Sequence, residues 1–393
     1  MVLSLVFMTA SNFAHATQLQ PWELKHQQLQ QQRDVVFACL EEVHAALVAR
    51  AQDEAPALLI RLSLDAPQTR ASGYGLLPVI RDDVPHSAVV PTQTFYSLKW
   101  LEERFVKEFQ KAIKLARQVP DAVEIEPLVT SFEQSLKQLR NLEDNLDYHE
   151  QWQNAVVRSP VYFRNKNKLV ALARQMNMLI TNNESPQRVA ELREQLVQSV
   201  ASFRSTSGLS ILSLNEGQKV LPVTVCTDIE DQNFLQDFHA GVQEAFTRSS
   251  PARAHRFSVD LKWRMIKADI LYLNGAPDHG TRISMDEHRA LFEDCPLVLT
   301  TGASSTSAMV GDRIFLGTEP VSRRTLAHEF GHLLGFEDAY LRGYDGEPGD
   351  DYGVIVVEWT GLTADLMGDS ARGRVNEVMI AALITAYDES VLE

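Results

Sequence analysis

Apolar residues recur at helical spacing through the first half of the chain. The stretch ELKHQQLQQQRDVVFACLEEVHAALVARAQ places apolar side chains between Leu29 and Val43 near one helix face, and TFYSLKWLEERFVKEFQKAIKLARQV repeats the pattern. Further amphipathic stretches follow at 122–157, 160–180 and 186–203. Several long helices joined by short breaks favour an antiparallel bundle, which we assign to residues 18–210.

Prolines and glycines interrupt this pattern between the first two long helices. The piece APQTRASGYGLLPVIRDDVPHSAVVP contains too many turn-forming residues for a continuous helix. It predicts a long loop or a small excursion into strand structure.

Downstream of a stretch rich in Ser and Gly at 205–222, the pattern alternates between strand and helix. LPVTVCTDI and RFSVDLKWRMI predict strands on either side of the helix DQNFLQDFHAGVQEAFTRS. The short helix SMDEHRALFED precedes a third strand, PLVLTT, and SAMVGDRIFLG predicts a hairpin around Gly311 and Asp312. RVNEVMIAALITAY predicts a final amphipathic helix. This order predicts an α+β protein whose second domain, at 218–393, contains a sheet with one helix on either side.

The composition is that of a globular protein, with 45% hydrophobic and 23% charged residues over 393 positions. The net charge of −15 argues against a nucleic-acid partner, because phosphate recognition needs a basic surface. No run of about 18 apolar residues occurs after the N-terminal region, so we expect no transmembrane segment.

The N-terminus has the pattern of an export signal. Residues 2–13 are mostly apolar, and Ala14-His15-Ala16 has the small-x-small form of a signal-peptidase site. No Lys or Arg precedes the apolar run, which leaves a buried N-terminal segment as the alternative. The pattern predicts a signal peptide at 1–17 and export to the periplasm or the medium.

The chain contains three cysteines, Cys39, Cys226 and Cys295. The count favours three buried thiols that act as small apolar side chains. If the chain is exported, the alternative is a disulfide between Cys226 and Cys295, with Cys39 left over.

The stretch TLAHEFGHLLGFEDAY has two histidines four residues apart. On a helix, positions i and i+4 share a face, so His328 and His332 can direct their imidazoles at one metal ion. Glu329 lies one position round the helix, where it can reach a metal-held water without binding the metal. The spacing therefore indicates zinc with an adjacent base.

The third ligand has to be something other than histidine, since no histidine follows His332. Gly335 can end the helix sharply, and Asp338 follows three residues later, within reach of the same ion. The alternatives are a solvated loop acid at Asp338 and a later glutamate ligand, Glu358 or Glu377, as in thermolysin-like zinc hydrolases.

The motif HEFGHLLGFED resembles the extended motif H-E-x-x-H-x-x-G-x-x-H of the metzincin zinc metalloproteases, in the form that ends in Asp, as in snapalysin-like members. Asp338 takes the position of the third ligand. Metzincins also have a methionine in a tight turn below the metal, and Met367 in DLMGDS, followed by a helix, fits that feature. The resemblance covers 221–393 and leaves 18–217 unexplained.

The resemblance implies a zinc-dependent endopeptidase that acts on a protein or peptide substrate. It implies a catalytic domain with a mixed, mostly parallel twisted sheet, an active-site helix and an edge strand near 307–310 that pairs with the extended substrate. Glu329 would be the general base for hydrolysis by a metal-activated water. Tyr340, Tyr344 and Tyr352 are candidates for stabilising the oxyanion.

Other interpretations stay open at this point. The helical region is a propeptide, a recognition module that binds a protein partner, or a scaffold for the catalytic domain. A function from another class is a helical interaction protein with a non-proteolytic metal domain. The acidic loop GYDGEPGDDYG is either a calcium site or a solvated loop.

Overall fold

The computed structural model describes residues 19–64, 73–81, 92–95, 97–200, 203–214, 217–273, 275–281, 283–303, 308–310, 312–359 and 364–388. The predicted signal peptide at 1–17 lies outside the described residues, as do Ser307 and Gly311.

Helices account for most of the described regular structure. They are α1 (Pro21–Glu54), α2 (Leu59–Leu64) after a 3₁₀ turn at Pro56–Leu58, α3 (Leu98–Gln118), α4 (Glu126–Arg158), α5 (Pro160–Thr181), α6 (Pro186–Val200), α7 (Gln232–Phe246), α8 (Ser250–Ala254), α9 (Ala268–Leu271), α10 (Met285–Ala290), α11 (Arg323–Leu333) and α12 (Glu377–Tyr387). The strands are β1 (Thr92–Phe95), β2 (Leu212–Ser213), β3 (Lys219–Thr227), β4 (Phe257–Met265), β5 (Val298–Thr301), β6 (Ala308–Val310), β7 (Arg313–Leu316), β8 (Leu341–Asp345) and β9 (Ile355–Trp359). With 57% helix, 13% strand and a mixed sheet, the predicted α+β class is confirmed. In the described part of the chain, no helix combines the length and apolar character needed to cross a bilayer.

A bundle of α1, α3 and α4 encloses the first apolar core. Its buried side chains include Leu29 and Leu40 of α1, Phe105 of α3, and Phe132 and Leu139 of α4. The helical periodicity of the sequence therefore identified the inward face of α1 and of α3.

The three helices of the bundle are not all antiparallel. Lys25 near the start of α1 lies 3.1 Å from the Glu102 carboxylate near the start of α3, and Arg50 near the end of α1 donates to Val119 O just after α3 at 2.6 Å. α1 and α3 therefore run parallel, and the short turn after α3 sends α4 back in the opposite direction. The antiparallel prediction is wrong for the α1–α3 pair, because the connection between them is long enough to return the chain to the start of α1.

Part of that connection lies on the C-terminal half of the protein. Ile80 forms a parallel β-bridge with Val321, and the Gly75 amide donates to Thr301 Oγ1 at 2.7 Å. Further along, β1 pairs antiparallel with β9. Within the interrupted stretch at 66–91, the described residues 73–81 form a loop with one isolated bridge at Ile80, and the strand β1 begins just after this stretch. Both contacts tie the N-terminal region to elements beyond residue 300.

The second core is built on a mixed sheet with strand order β4-β3-β5-β7-β6, and the short β2 pairs with the start of β3. β3 pairs parallel with β4 along its whole length, and β5 and β7 continue the parallel arrangement. β6 and β7 form the predicted antiparallel hairpin. The expected mixed, mostly parallel sheet is therefore present, with β6 at one edge.

The long helices of this half share one face of the sheet. Leu299 of β5 belongs to the apolar core formed with α7, α11 and α12. Its neighbour Val298 joins a smaller core on the opposite face, with residues between Ile266 and Cys295. α7 and α11 also pack on each other so closely that a Cβ at Gly241 would lie 2.5 Å from Arg323 O. The expectation of one helix on either side is therefore wrong for the long helices, and the short α9 and α10 lie in the segment that covers the other face.

A disulfide joins Cys226 to Cys295. Cys226 belongs to the end of β3 and Cys295 lies just before β5, and these two strands pair side by side. The interpretation as three buried thiols is therefore wrong for this pair. Cys39 is a free thiol that lies half-buried against the bundle core.

A second sheet, with strand order β1-β9-β8, connects the two halves of the protein. α5 and α6 pack on it instead of entering the core of α1, α3 and α4. Val170 and Leu192 from these helices form an apolar cluster with Leu341 of β8 and Val357 of β9. The predicted helical region at 18–210 therefore shares one of its cores with strands from the predicted catalytic region at 218–393.

Candidate metal centre

The helix α11 carries both histidines of the motif. Ser322 caps it, since its side chain accepts a hydrogen bond from the Thr325 amide at 3.1 Å. Leu326, Phe330 and Leu333 are fully buried in the core below the sheet. The histidines lie on the side of α11 that meets the segment following it.

Two backbone carbonyls orient the imidazoles. His328 Nδ1 lies 2.8 Å from Leu366 O, and His332 Nδ1 lies 2.8 Å from Phe336 O. A carbonyl oxygen can only accept, so each Nδ1 carries the proton and donates it. Each Nε2 is then the atom available to a metal, which is the tautomer that zinc-binding histidines require.

Asp338 completes a cluster with the two Nε2 atoms. Its Oδ1 lies 3.3 Å from His328 Nε2 and 3.3 Å from His332 Nε2, and the three ligand atoms lie within 4.8 Å of one another. Two atoms that are each about 2.1 Å from a tetrahedral zinc ion are separated by roughly 3.4 Å. The spacing of the cluster therefore fits a single zinc ion, and the structure brings together all three residues that the sequence proposed as ligands.

The Asp338 carboxylate is unusual in its surroundings. Its Oδ1 is buried and makes no hydrogen bond to any described residue, although a buried carboxylate oxygen without a partner is costly. Burial raises the pKa of Asp338, but the two adjacent imidazoles hold this pKa well below its usual range. Burial lowers the pKa of His328, but contact with Asp338 and the charge of Glu329 raise it to about 9. The Asp338 carboxylate is therefore ionised beside a protonated His328 imidazole, and a metal ion that binds His328 Nε2 would have to displace that proton.

Gly335 makes the turn that brings Asp338 back to the histidines. It has a φ of 100°, which only glycine adopts without strain, and its amide donates to His332 O at 2.9 Å. The turn is also crowded from outside, because a Cβ on Gly335 would lie 2.1 Å from Arg204 O. Both the conformation and the space therefore require glycine at this position.

We expect Gly335→Ala to lower the thermal stability of the protein and to weaken metal retention. The positive φ alone costs about 1–3 kcal/mol in a non-glycine residue, and the contact with Arg204 O adds to this because backbone atoms cannot move aside easily. Circular dichroism melting of the metal-free protein measures the loss. Gly349→Ala is the matched control, because a Cβ there meets no atom within 4 Å, and equal melting temperatures for the two variants would contradict this account.

Met367 lies beneath the metal-binding helix. A Cβ on Gly331, between the two histidines, would be 2.6 Å from Met367 Sδ, and the methionine is buried. The Met367 carbonyl accepts a hydrogen bond from the Ala339 amide at 3.0 Å, next to the third ligand. The residue singled out by the sequence therefore supports both the helix and the Asp338 segment.

Sequence reasoning missed the groups that hold this turn. The Met367 amide donates to Asp365 Oδ1, and Asn376 Nδ2 donates to Asp365 Oδ2, each at 2.8 Å. An aspartate two residues before the methionine is a common turn signal that could have indicated this role. The group that orients His328 is the backbone carbonyl of Leu366, and a backbone carbonyl cannot be recognised from the residue type in a sequence.

Glu329 is half-buried on α11 and is not a member of the ligand cluster. Glu377, the later glutamate whose side chain the structure describes, also stays outside this cluster. Glu377 lies 2.7 Å from His255 Nε2 at the start of α12. Glu358 belongs to β9, where it pairs with Arg342 across the ladder, and its side chain is outside the described part of the structure. Asp338 is therefore the third-ligand candidate that the geometry favours.

The three tyrosines proposed for the oxyanion have other contacts. The Tyr352 hydroxyl donates to Glu102 at 2.8 Å, Tyr344 packs edge-on against Phe163, and the ring of Tyr340 lies below the Arg342 guanidinium. Each of these contacts involves the second sheet or the helical region.

The acidic loop after β8 forms no metal cluster with its described side chains. Asp345 pairs with Arg174 of α5 through two hydrogen bonds of 2.8 and 2.6 Å. Asp350 accepts a weak hydrogen bond from the Glu347 amide at 3.4 Å. Calcium binding there stays a prediction without structural support.

No family model, curated protein or solved structure matches this chain. The metzincin resemblance rests on the sequence motif, and membership of that family stays a prediction.

Proposed function

We propose that this protein is a zinc-dependent endopeptidase, with His328, His332 and Asp338 as zinc ligands and Glu329 as the general base. The observation that carries the proposal is the convergence of two Nε2 atoms and one buried carboxylate oxygen on a single point. Three protein ligands of this kind leave a fourth position open, which is the donor set of catalytic zinc sites and not of closed structural ones.

A zinc ion bound there would supply a Lewis acid for the scissile carbonyl and would lower the pKa of its water to about 7. The residues of the chain supply the rest of the chemistry. The Glu329 carboxylate takes a proton from the attacking water and passes it to the leaving amine. The carbonyls of Leu366 and Phe336 keep each imidazole in the tautomer that binds metal through Nε2.

The position of β6 supports an extended peptide as substrate. Among the described strands β6 pairs only with β7, and an added strand would pair with its other edge. Strand addition would align a peptide through main-chain hydrogen bonds, with side-chain selection left to neighbouring pockets. This supports a protein or peptide substrate without defining its sequence.

Metal analysis combined with a peptide-library or casein digest tests the proposal. We expect one zinc ion per chain, hydrolysis by the zinc-loaded protein, and loss of that hydrolysis on chelation followed by recovery when zinc is restored. Zinc binding without hydrolysis of any peptide would favour the alternative of a non-proteolytic metal domain. Failure to bind zinc would remove the basis of the proposal.

A further inference from the structure

The segment that carries the third ligand is built against the N-terminal helical region. Residues 203–206, which follow α6, lie along the end of α11 and its turn. Phe203 forms an antiparallel bridge with Phe336, and the Arg204 amide donates to Gly335 O at 2.8 Å. The turn that returns Asp338 to the histidines is thus paired with backbone from the end of the helical region.

A cation–π contact holds the same segment two to four residues beyond Asp338. The Arg342 guanidinium lies 4.8 Å from the ring centre of Tyr340 and 5.9 Å from that of Tyr148 in α4. Such contacts are worth about 0.5–2 kcal/mol, more when they are shielded from water. Arg342 therefore connects the ligand segment to the bundle.

α5 forms the third contact, and it is the most specific. The Asn167 side chain forms a two-way hydrogen bond with the Tyr344 peptide, donating to Tyr344 O at 2.8 Å and accepting from Tyr344 N at 2.9 Å. Gly343 approaches so closely that a Cβ would lie 2.5 Å from Asn167 Oδ1 and 2.6 Å from a Val170 methyl group. The middle of β8 therefore packs directly against α5.

We propose that the helical region positions Asp338 and is a permanent part of the enzyme, with Asn167 as a positioning residue for the metal site. This inference rests on the proposed zinc function. A carboxylate is shorter than an imidazole, so a small displacement of its backbone takes its oxygen out of range of both Nε2 atoms. The two histidines lie on α11, whose apolar side is buried in the core of the second domain. Asp338 lies outside this helix, between two stretches, at 335–336 and 340–345, that the helical region contacts.

Zinc affinity of the full-length protein tests the proposal, measured by competition with a chromogenic chelator. Asn167→Asp keeps the size and the acceptor but cannot donate to Tyr344 O when ionised, and we expect zinc affinity to fall about 10- to 100-fold. Gly343→Ala pushes β8 from α5 without changing the helix, and we expect a loss in the same range. The cobalt-substituted forms of both variants should show d–d absorption bands shifted towards those of Asp338→Ala, a change that a merely structural effect would not cause.

Asn165→Ala and Gly349→Ala are the matched controls. Asn165 is exposed two residues away on α5, with a single 3.3 Å hydrogen bond from Lys168, and Gly349 has open space. Both controls should bind zinc within about twofold of the wild type. If Asn167→Asp and Gly343→Ala are folded and bind zinc as tightly as the controls, the proposal is overturned. If Asn167→Asp fails to fold, the result for Gly343→Ala decides alone. A wild-type protein that binds no zinc would refute the proposed function itself.

Discussion

Glu329→Gln is expected to abolish peptide hydrolysis while the protein keeps its zinc. The amide retains the size of the side chain but cannot accept a proton from water, and general-base catalysis alone contributes about 10²–10⁴-fold to the rate. Zinc content should stay near that of the wild type because Glu329 lies outside the ligand cluster. Measurement of kcat/KM on a quenched fluorescent peptide, with metal analysis of the same preparation, separates the two effects.

Glu337→Gln is the matched control for this change. Glu337 is an exposed acid in the same motif and is also absent from the ligand cluster. Its substitution should leave hydrolysis within a few-fold of the wild type. Activity of Glu329→Gln at a comparable level would exclude Glu329 as the base, and loss of zinc from this variant would show that it is a ligand.

Asp338→Ala is expected to remove most of the affinity for zinc. The substitution deletes the one carboxylate of the cluster, and two imidazoles on one helix turn then remain. Loss of an outer partner of a ligand typically costs 10–100-fold in metal affinity, so loss of the ligand itself should cost more than about 100-fold. Equilibrium dialysis against buffered zinc measures the change directly.

Glu358→Ala and Glu377→Ala provide the comparison for the third ligand. Both should retain zinc, since Glu377 pairs with His255 and the position of Glu358 is in a sheet that packs on the helical region. If one of these variants loses zinc and Asp338→Ala keeps it, the thermolysin-like ligand set is correct. That result would also undermine Asn167 as a positioning residue, because Asp338 would no longer need to be held.

The role of the helical region depends on how it contacts the segment that carries Asp338. A removable propeptide would be expected to contact the catalytic domain through a surface that does not belong to a shared apolar core and does not hold the metal ligands. Here the helices share an apolar cluster with β8 and β9, and Tyr352 is held by Glu102 of α3. Removal of the helices would expose that cluster and release the ligand segment, so the contacts support a scaffold and argue against inhibition by this region.

Local patterns in the sequence predicted much of the candidate site. His328 and His332 share a helix face by virtue of their spacing alone, and Gly335 is the residue that a sharp return of the chain requires. The turn at Gly335 also predicted that the Asp338 carboxylate returns to the two histidines. The strands β3, β4 and β5 were likewise visible as short apolar runs between turn signals.

The chain's periodicity by itself indicated the inward faces of α1 and α3, and the motif indicated the three side chains that the structure brings into one cluster. Only the tertiary structure decided what covers each apolar face. It placed α7 and α11 on one side of the sheet and paired Cys226 with Cys295. It also packed α5 on β8, and not on the core of α1, α3 and α4. The physical reason is that burial of apolar surface is non-directional, so the alternation of apolar and polar residues defines a face but not its partner. Partners are selected by close packing and by individual hydrogen bonds such as that of Asn167, which depend on residues far apart in the chain.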